Sequence, residues 1–106
     1  MNEFVSVYVT CPDLAQARSL AQALVTEELV ACANMVQGSS VYRWEGALVG
    51  EPEVIVFLKT RRALVERVVA AVKVLHPAEV PCIVALDVVA GHAPFLEWVR
   101  ANTRAP

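Results

Sequence analysis

Residues 31–60 read ACANMVQGSSVYRWEGALVGEPEVIVFLKT, and this stretch decides the fold. Its second half, Glu53 to Thr60, is apolar at both alternating phases through Val54-Ile55-Val56-Phe57-Leu58, the pattern of a strand buried on two sides. The first half is interrupted at Asn34 and Gly38 and resumes as Val41-Tyr42-Arg43-Trp44. Glu45-Gly46 is the reversal point, because glycine readily takes the positive φ of a two-residue hairpin turn. The stretch therefore predicts one long hairpin that reaches past the body of a small domain.

Outward from the hairpin, both flanks read as β-α units. Phe4 to Thr10 alternates, with Val5, Val7 and Val9 on one face of a strand. Cys11-Pro12 ends it, and Asp13 with Gln16 three residues on is a variant capping box. Leu14, Ala17, Ala21, Leu24, Val25 and Leu29 then form a helical stripe. After the hairpin, Thr60 is placed to cap a second helix with Leu64, Val65, Val68, Val72 and Leu75 as its apolar face, stopped by His76-Pro77. Val80 to Ala90 is a last strand, and Pro94 opens a short helix that carries Phe95, Leu96, Trp98 and Val99. Trp98 is expected to lie over the sheet as a lid.

The order is β-α-β-β-α-β plus a C-terminal helix, an α+β, ferredoxin-like split βαβ plan in one domain spanning residues 1–106. Right-handed crossovers put both main helices on one face of an antiparallel sheet, leaving the other face open. Of the 106 residues, 57% are hydrophobic, against about 45–50% in ordinary soluble domains. Mean hydropathy is +0.50. The surplus fits an apolar sheet face that another subunit covers, so self-association is the expected partnership.

Composition also excludes. No apolar run approaches the roughly 18–20 residues of a membrane span, and Met1-Asn2-Glu3-Phe4 lacks the basic start of a signal peptide. A net charge of −2 with mixed signs leaves no nucleic-acid footprint. Three cysteines, none in a C-x-x-C pair, argue against a disulfide framework and for the cytoplasm. The motifs of Ser hydrolases, zinc proteases and phosphate-binding loops are missing, so no enzyme is expected.

Ala31-Cys32-Ala33-Asn34, Val41 to Gly46 and Leu58-Lys59-Thr60 resemble the signature of the CutA family of divalent-cation tolerance proteins. So do His76-Pro77, Val80-Pro81 and the closing Phe95 to Val99. The resemblance covers the whole chain. It implies a ferredoxin-like protomer, a homotrimer whose hairpins pair with neighbouring subunits, and a role in tolerance to copper and other divalent metals. The family's copper binding is linked to a first-strand Cys and a His-His pair. Those positions are Val9, Leu75 and His76 in this chain, so one of the three is retained. The aromatic after His-Pro becomes Ala78, and Cys82 stands where the family commonly has Glu.

The candidate metal ligands are Cys11, His76 and Cys82, which the plan brings to one sheet edge. Two thiols and an imidazole suit Cu(I) or Zn(II). The plainer reading makes the thiols small apolar residues and gives His76 to the end of its helix. Cys32 reads as an inert core thiol. Tyr42, Trp44 and Glu45 crowd the hairpin tip, either as anchors in a neighbouring subunit or as a surface on which a ligand stacks. Lys59, Arg61 and Arg62 flank the second helix's start. They await a carboxylate from Glu45, Glu51 or Glu53 of a neighbour, or else a bound anion in an inter-subunit cleft. Metal binding in a homotrimer is thus the leading expectation. A trimeric sensor of small anions like the PII proteins, or a structural trimer supporting another complex, are the alternatives.

Overall fold

The computed structural model describes residues 2–106. Its elements are β1 (Phe4–Cys11), α1 (Leu14–Thr26), β2 (Cys32–Trp44), β3 (Ala47–Arg61), a 3-10 turn (Arg62–Leu64), α2 (Val65–Leu75), β4 (Ile83–Asp87) and α3 (Ala93–Ala101). The four strands form one antiparallel sheet in the order β2-β3-β1-β4.

Strand alternation sets the core. Val5, Val7, Val9 and Cys11 of β1 and Val54, Val56 and Leu58 of β3 are buried on one sheet face. Ala17, Leu20 and Leu24 of α1 and Val68 and Val72 of α2 pack against them. Each buried Val or Leu among them contributes about 1.5–3 kcal/mol relative to leaving it in water. α1 starts as its sequence requires: the Gln16 amide donates to Asp13 Oδ1 at 2.8 Å and the Gln16 side chain donates to Oδ2 at 3.2 Å.

The opposite face stays open. Tyr8 and Phe57 meet there edge to face at 5.7 Å. Val36, Val84 and Leu86, on the same strand phase, are 51%, 48% and 47% exposed. The expected apolar second face is therefore present, and only at the Phe4 end is an apolar cluster closed over it. There Val99 and Leu96 of α3 pack with Phe4, Ala31 and Val88. Trp98 is not the lid. Val99 is the buried residue of that helix, whereas Trp98 is 44% exposed and stacks on Phe95 at 5.8 Å.

Three further boundaries differ from the sequence reading. The hairpin is one unbroken ladder from Cys32↔Lys59 to Trp44↔Ala47, running straight through Asn34 and Gly38. A Cβ at Gly38 would lie 3.2 Å from Ile55 Cδ1, so glycine there admits a close strand contact and does not break the strand. Because β1 ends opposite Val54, β3 beyond that point pairs with β2 alone, and Pro52 omits no amide needed on its other side. Glu45 (φ 50°) and Gly46 (φ 81°) make the expected tight turn.

Thr60 does not cap α2. It is fully buried at the end of β3, and its hydroxyl donates to the Leu29 carbonyl at 2.6 Å, tying the α1–β2 loop to the sheet. α2 begins after the 3-10 turn with no side-chain cap. β4 spans Ile83–Asp87 and not 80–90, so residues 77–82 are left as a loop that returns from α2 to the sheet edge. The hairpin gives the molecule extents of 44 × 25 × 22 Å and a radius of gyration of 14.2 Å, against about 13 Å for a compact chain of this length.

Candidate functional site

Strand phase builds the site. Tyr42 and Trp44 in β2, and Glu51 and Glu53 in β3, stand two apart on their strands and share the open face. Tyr42 pairs with Val49, so Glu51 is its diagonal neighbour, and the phenol donates to Glu51 Oε1 at 2.6 Å. The end of β1, the end of α2 and the 77–82 loop close the opposite wall. Together they enclose a cavity of about 310 Å³ that carries Cys11, His76, Glu79 and Cys82 beside the four hairpin residues.

Hairpin tip and sheet edge, two separate regions in the sequence reading, are therefore one site. Cys11, His76 and Cys82 do all line it. They are not presented as a ligand trio: among the described residues, no three His, Cys, Asp or Glu side chains are arranged to hold a metal ion. The reasons are local. His76 Nε2 lies 2.7 Å from the Thr10 carbonyl, and the Ala78 amide donates to Nδ1 at 3.0 Å. Both ring nitrogens are thus spent on backbone groups. Cys11 is 1% exposed. Burial first, then the negative charges of Asp13 and Glu53, push its thiol up to about 11. Cys82 is the exposed thiol of the three.

Native-state thiol titration near neutral pH should accordingly modify Cys82 rapidly and leave Cys11 untouched until the protein unfolds. Peptide mapping after a short exposure to a soluble disulfide reagent reads both positions. Equal labelling of Cys11 and Cys82 would contradict the burial described. Cys32, half-buried opposite Lys59 in the ladder, also has its thiol raised, chiefly by burial.

The cavity is acidic. Glu51, Glu53 and Glu79 line it, and neither Lys nor Arg does. Tyr42 registers the same field: its hydroxyl is held above the usual tyrosine range by its bond to Glu51, with further contributions from burial and from Glu53. A phenol so raised keeps its proton, and with it the Glu51 bond, until the pH rises through that elevated value.

The basic residues lie elsewhere. Lys59 bonds Asn34 Oδ1. Arg61 donates to Thr103 Oγ1 at 3.0 Å and to the Arg104 carbonyl, fastening the C-terminal segment. Arg62 donates to the Asn2 carbonyl at 2.6 Å and forms an ion pair with Asp87. Each has a partner within its own chain: Arg62 meets a carboxylate, whereas the partners of Lys59 and Arg61 are neutral. Glu45 sits exposed in the turn and does not line the cavity. Glu79 escaped the sequence reading. Its one signal is a carboxylate held between Pro77 and Pro81, in the loop that leads to β4.

The family profile described as "CutA1 divalent ion tolerance protein" matches residues 5–102. A relative in Thermus thermophilus named "Divalent-cation tolerance protein CutA" is 43% identical over 98 residues, covering 92% of this chain and 95% of its own length. Plant and mammalian relatives named "Protein CutA" are longer, and the chain spans 56 or 57% of their length. A crystal structure of CutA1 from Pyrococcus horikoshii superposes with a TM-score of 0.93 at 38% identity, covering 95% of this chain and 99% of that one. A structure from Archaeoglobus fulgidus, described as a periplasmic divalent cation tolerance protein CutA, gives 0.92 at 31% identity, covering 93% and 97%. Among the described residues, no helix is long and apolar enough to cross a membrane.

Proposed function

The chain belongs to the CutA1 divalent ion tolerance family, and on that premise we propose that it contributes to metal tolerance by taking up divalent cations in the acidic cavity between the hairpin and the 77–82 loop. The observation that carries this is the lining: three carboxylates and no cationic side chain. Such a wall attracts a cation and repels an anion. Because no ligand trio stands ready, the ion keeps much of its water on entry. Glu53 supplies the fixed field, while the exposed carboxylates of Glu51 and Glu79 and the Cys82 thiol turn onto the ion. Cys11 and His76 build the wall and are not ligands. Copper or zinc are the candidate ions, since a thiol is among the donors.

The assembly we propose is a homotrimer of ferredoxin-like protomers. The half-exposed apolar row Val36, Val84 and Leu86 around Tyr8 and Phe57 supports it, as does a hairpin that extends past its own sheet partners. The compartment we propose is the cytoplasm, whose reducing poise suits three free thiols. The alternative of an anion sensor draws no support from the cavity, which Lys59, Arg61 and Arg62 do not line.

Growth on metal-loaded medium tests the role. In a host deleted for its own protein of this family and sensitised to copper or zinc, expression of the chain should restore growth. A Glu53→Gln, Cys82→Ser variant expressed to the same level should not. Failure of the unaltered chain, at verified expression, would remove the tolerance role.

A further inference from the structure

Metal uptake leaves half of the cavity wall unexplained. A hydrated metal ion has no use for Tyr42 and Trp44, yet both rings line the space, and Trp44 is 43% exposed despite its size. Tyr42 is also fixed in place, because its hydroxyl is tied to Glu51. The volume, about 310 Å³, lies at the lower end of small-molecule sites and far exceeds one bare ion. Pro12, Val80 and Pro81 add apolar surface. The aromatic faces, the carboxylates and the apolar side chains therefore line one cleft.

From this juxtaposition we propose that the cavity binds a small aliphatic ammonium ion, with its charge against Glu51 and Glu53 and its carbon chain over Trp44 and Tyr42. Ring faces are electron-rich and attract ammonium groups, and carboxylates stand beside them in this cavity. Glu51 retains Oε2 as an acceptor beyond its bond to Tyr42, and a primary ammonium brings three donors. No Lys or Arg competes: Lys59, Arg61 and Arg62 are tethered at the other end of the sheet. Neutral molecules of equal size gain no charge attraction from the carboxylates, and anions are repelled by them.

The proposal rests on the same acidic cavity as the metal reading but not on metal binding itself. A binding experiment separates the two. In a Trp98→Phe background, Trp44 is the sole tryptophan and reports on the cavity by its fluorescence. Titration with 1,4-diaminobutane, with chelator present, should shift that signal saturably, whereas 1-butanol and succinate should not. In calorimetry, Trp44→Leu should weaken diamine binding about tenfold, Trp44→Phe should retain most of it, and Glu53→Gln should weaken it at least fivefold. Circular dichroism confirms that each variant is folded. Zinc affinity should survive Trp44→Leu, since no metal donor is lost. Absence of diamine binding up to about 10 mM, or binding unmoved by Trp44→Leu, overturns the ammonium site and leaves the metal reading standing. Diamine binding without zinc binding does the reverse.

Discussion

Truncating Leu58 to alanine is expected to destabilise the protein by about 2–5 kcal/mol. Leu58 is fully buried in the middle of β3, with Val7 across the ladder on one side and Ala33 on the other. Its isobutyl group belongs to the cluster that joins the sheet to α1 and α2. Ala33 is too small to fill the space, and Val7 is held by its own strand, so the void persists and adds to the lost transfer energy. That loss is a large share of the 5–15 kcal/mol typical of a domain. Urea unfolding at fixed protein concentration checks it: the midpoint should fall with the slope unchanged. A loss below about 1 kcal/mol would mean that the core collapses around the site far better than its packing suggests.

Phe57→Asp has the larger consequence for assembly. Phe57 stands at the centre of the open face against Tyr8, between strands whose outward positions are half-exposed and apolar. If that face were bare in solution, a carboxylate there would change stability by only about 0.5 kcal/mol plus some lost packing. Covered by other subunits, the same carboxylate is an unpaired buried charge in every protomer, which costs several kcal/mol at each. The unaltered protein should therefore run at three times its chain mass of 11.5 kDa by native mass spectrometry. The variant should run as an 11.5 kDa monomer with native-like circular dichroism. A monomeric parent, or a variant that still trimerises, would refute the covered-face account.

Much of the fold was legible because burial follows strand phase and helix stripe directly. Val5, Val7 and Val9, the doubly apolar run at Val54 to Leu58, the Asp13 cap and the Glu45-Gly46 turn all act within a few residues of themselves. What escaped depends on partners distant in sequence. Asn34 and Gly38 look like interruptions, yet the ladder runs through both, pairing Asn34 with Phe57 and Gly38 with Glu53. Thr60 looks like a helix cap until the Leu29 carbonyl is seen beside it.

The site was legible in its residues and not in its geometry. Tyr42, Trp44, Cys11, His76 and Cys82 each stood out, but the sequence does not show that the hairpin's open face reaches the loop before β4. Nor does it show that His76 spends both ring nitrogens on Thr10 and Ala78. Those two bonds are why the proposed metal uptake rests on the carboxylates and not on a soft Cys-His set.

Equilibrium dialysis of the reduced protein against zinc, with metal counted in both chambers, tests that proposed uptake most directly. The acidic-cavity account predicts saturable binding that declines as salt is raised and weakens at least fivefold in Glu53→Gln, Cys82→Ser, while Cys11→Ser binds as the parent does. Retention of full affinity by the Glu53→Gln, Cys82→Ser variant, or no zinc retained by the parent protein, would contradict it.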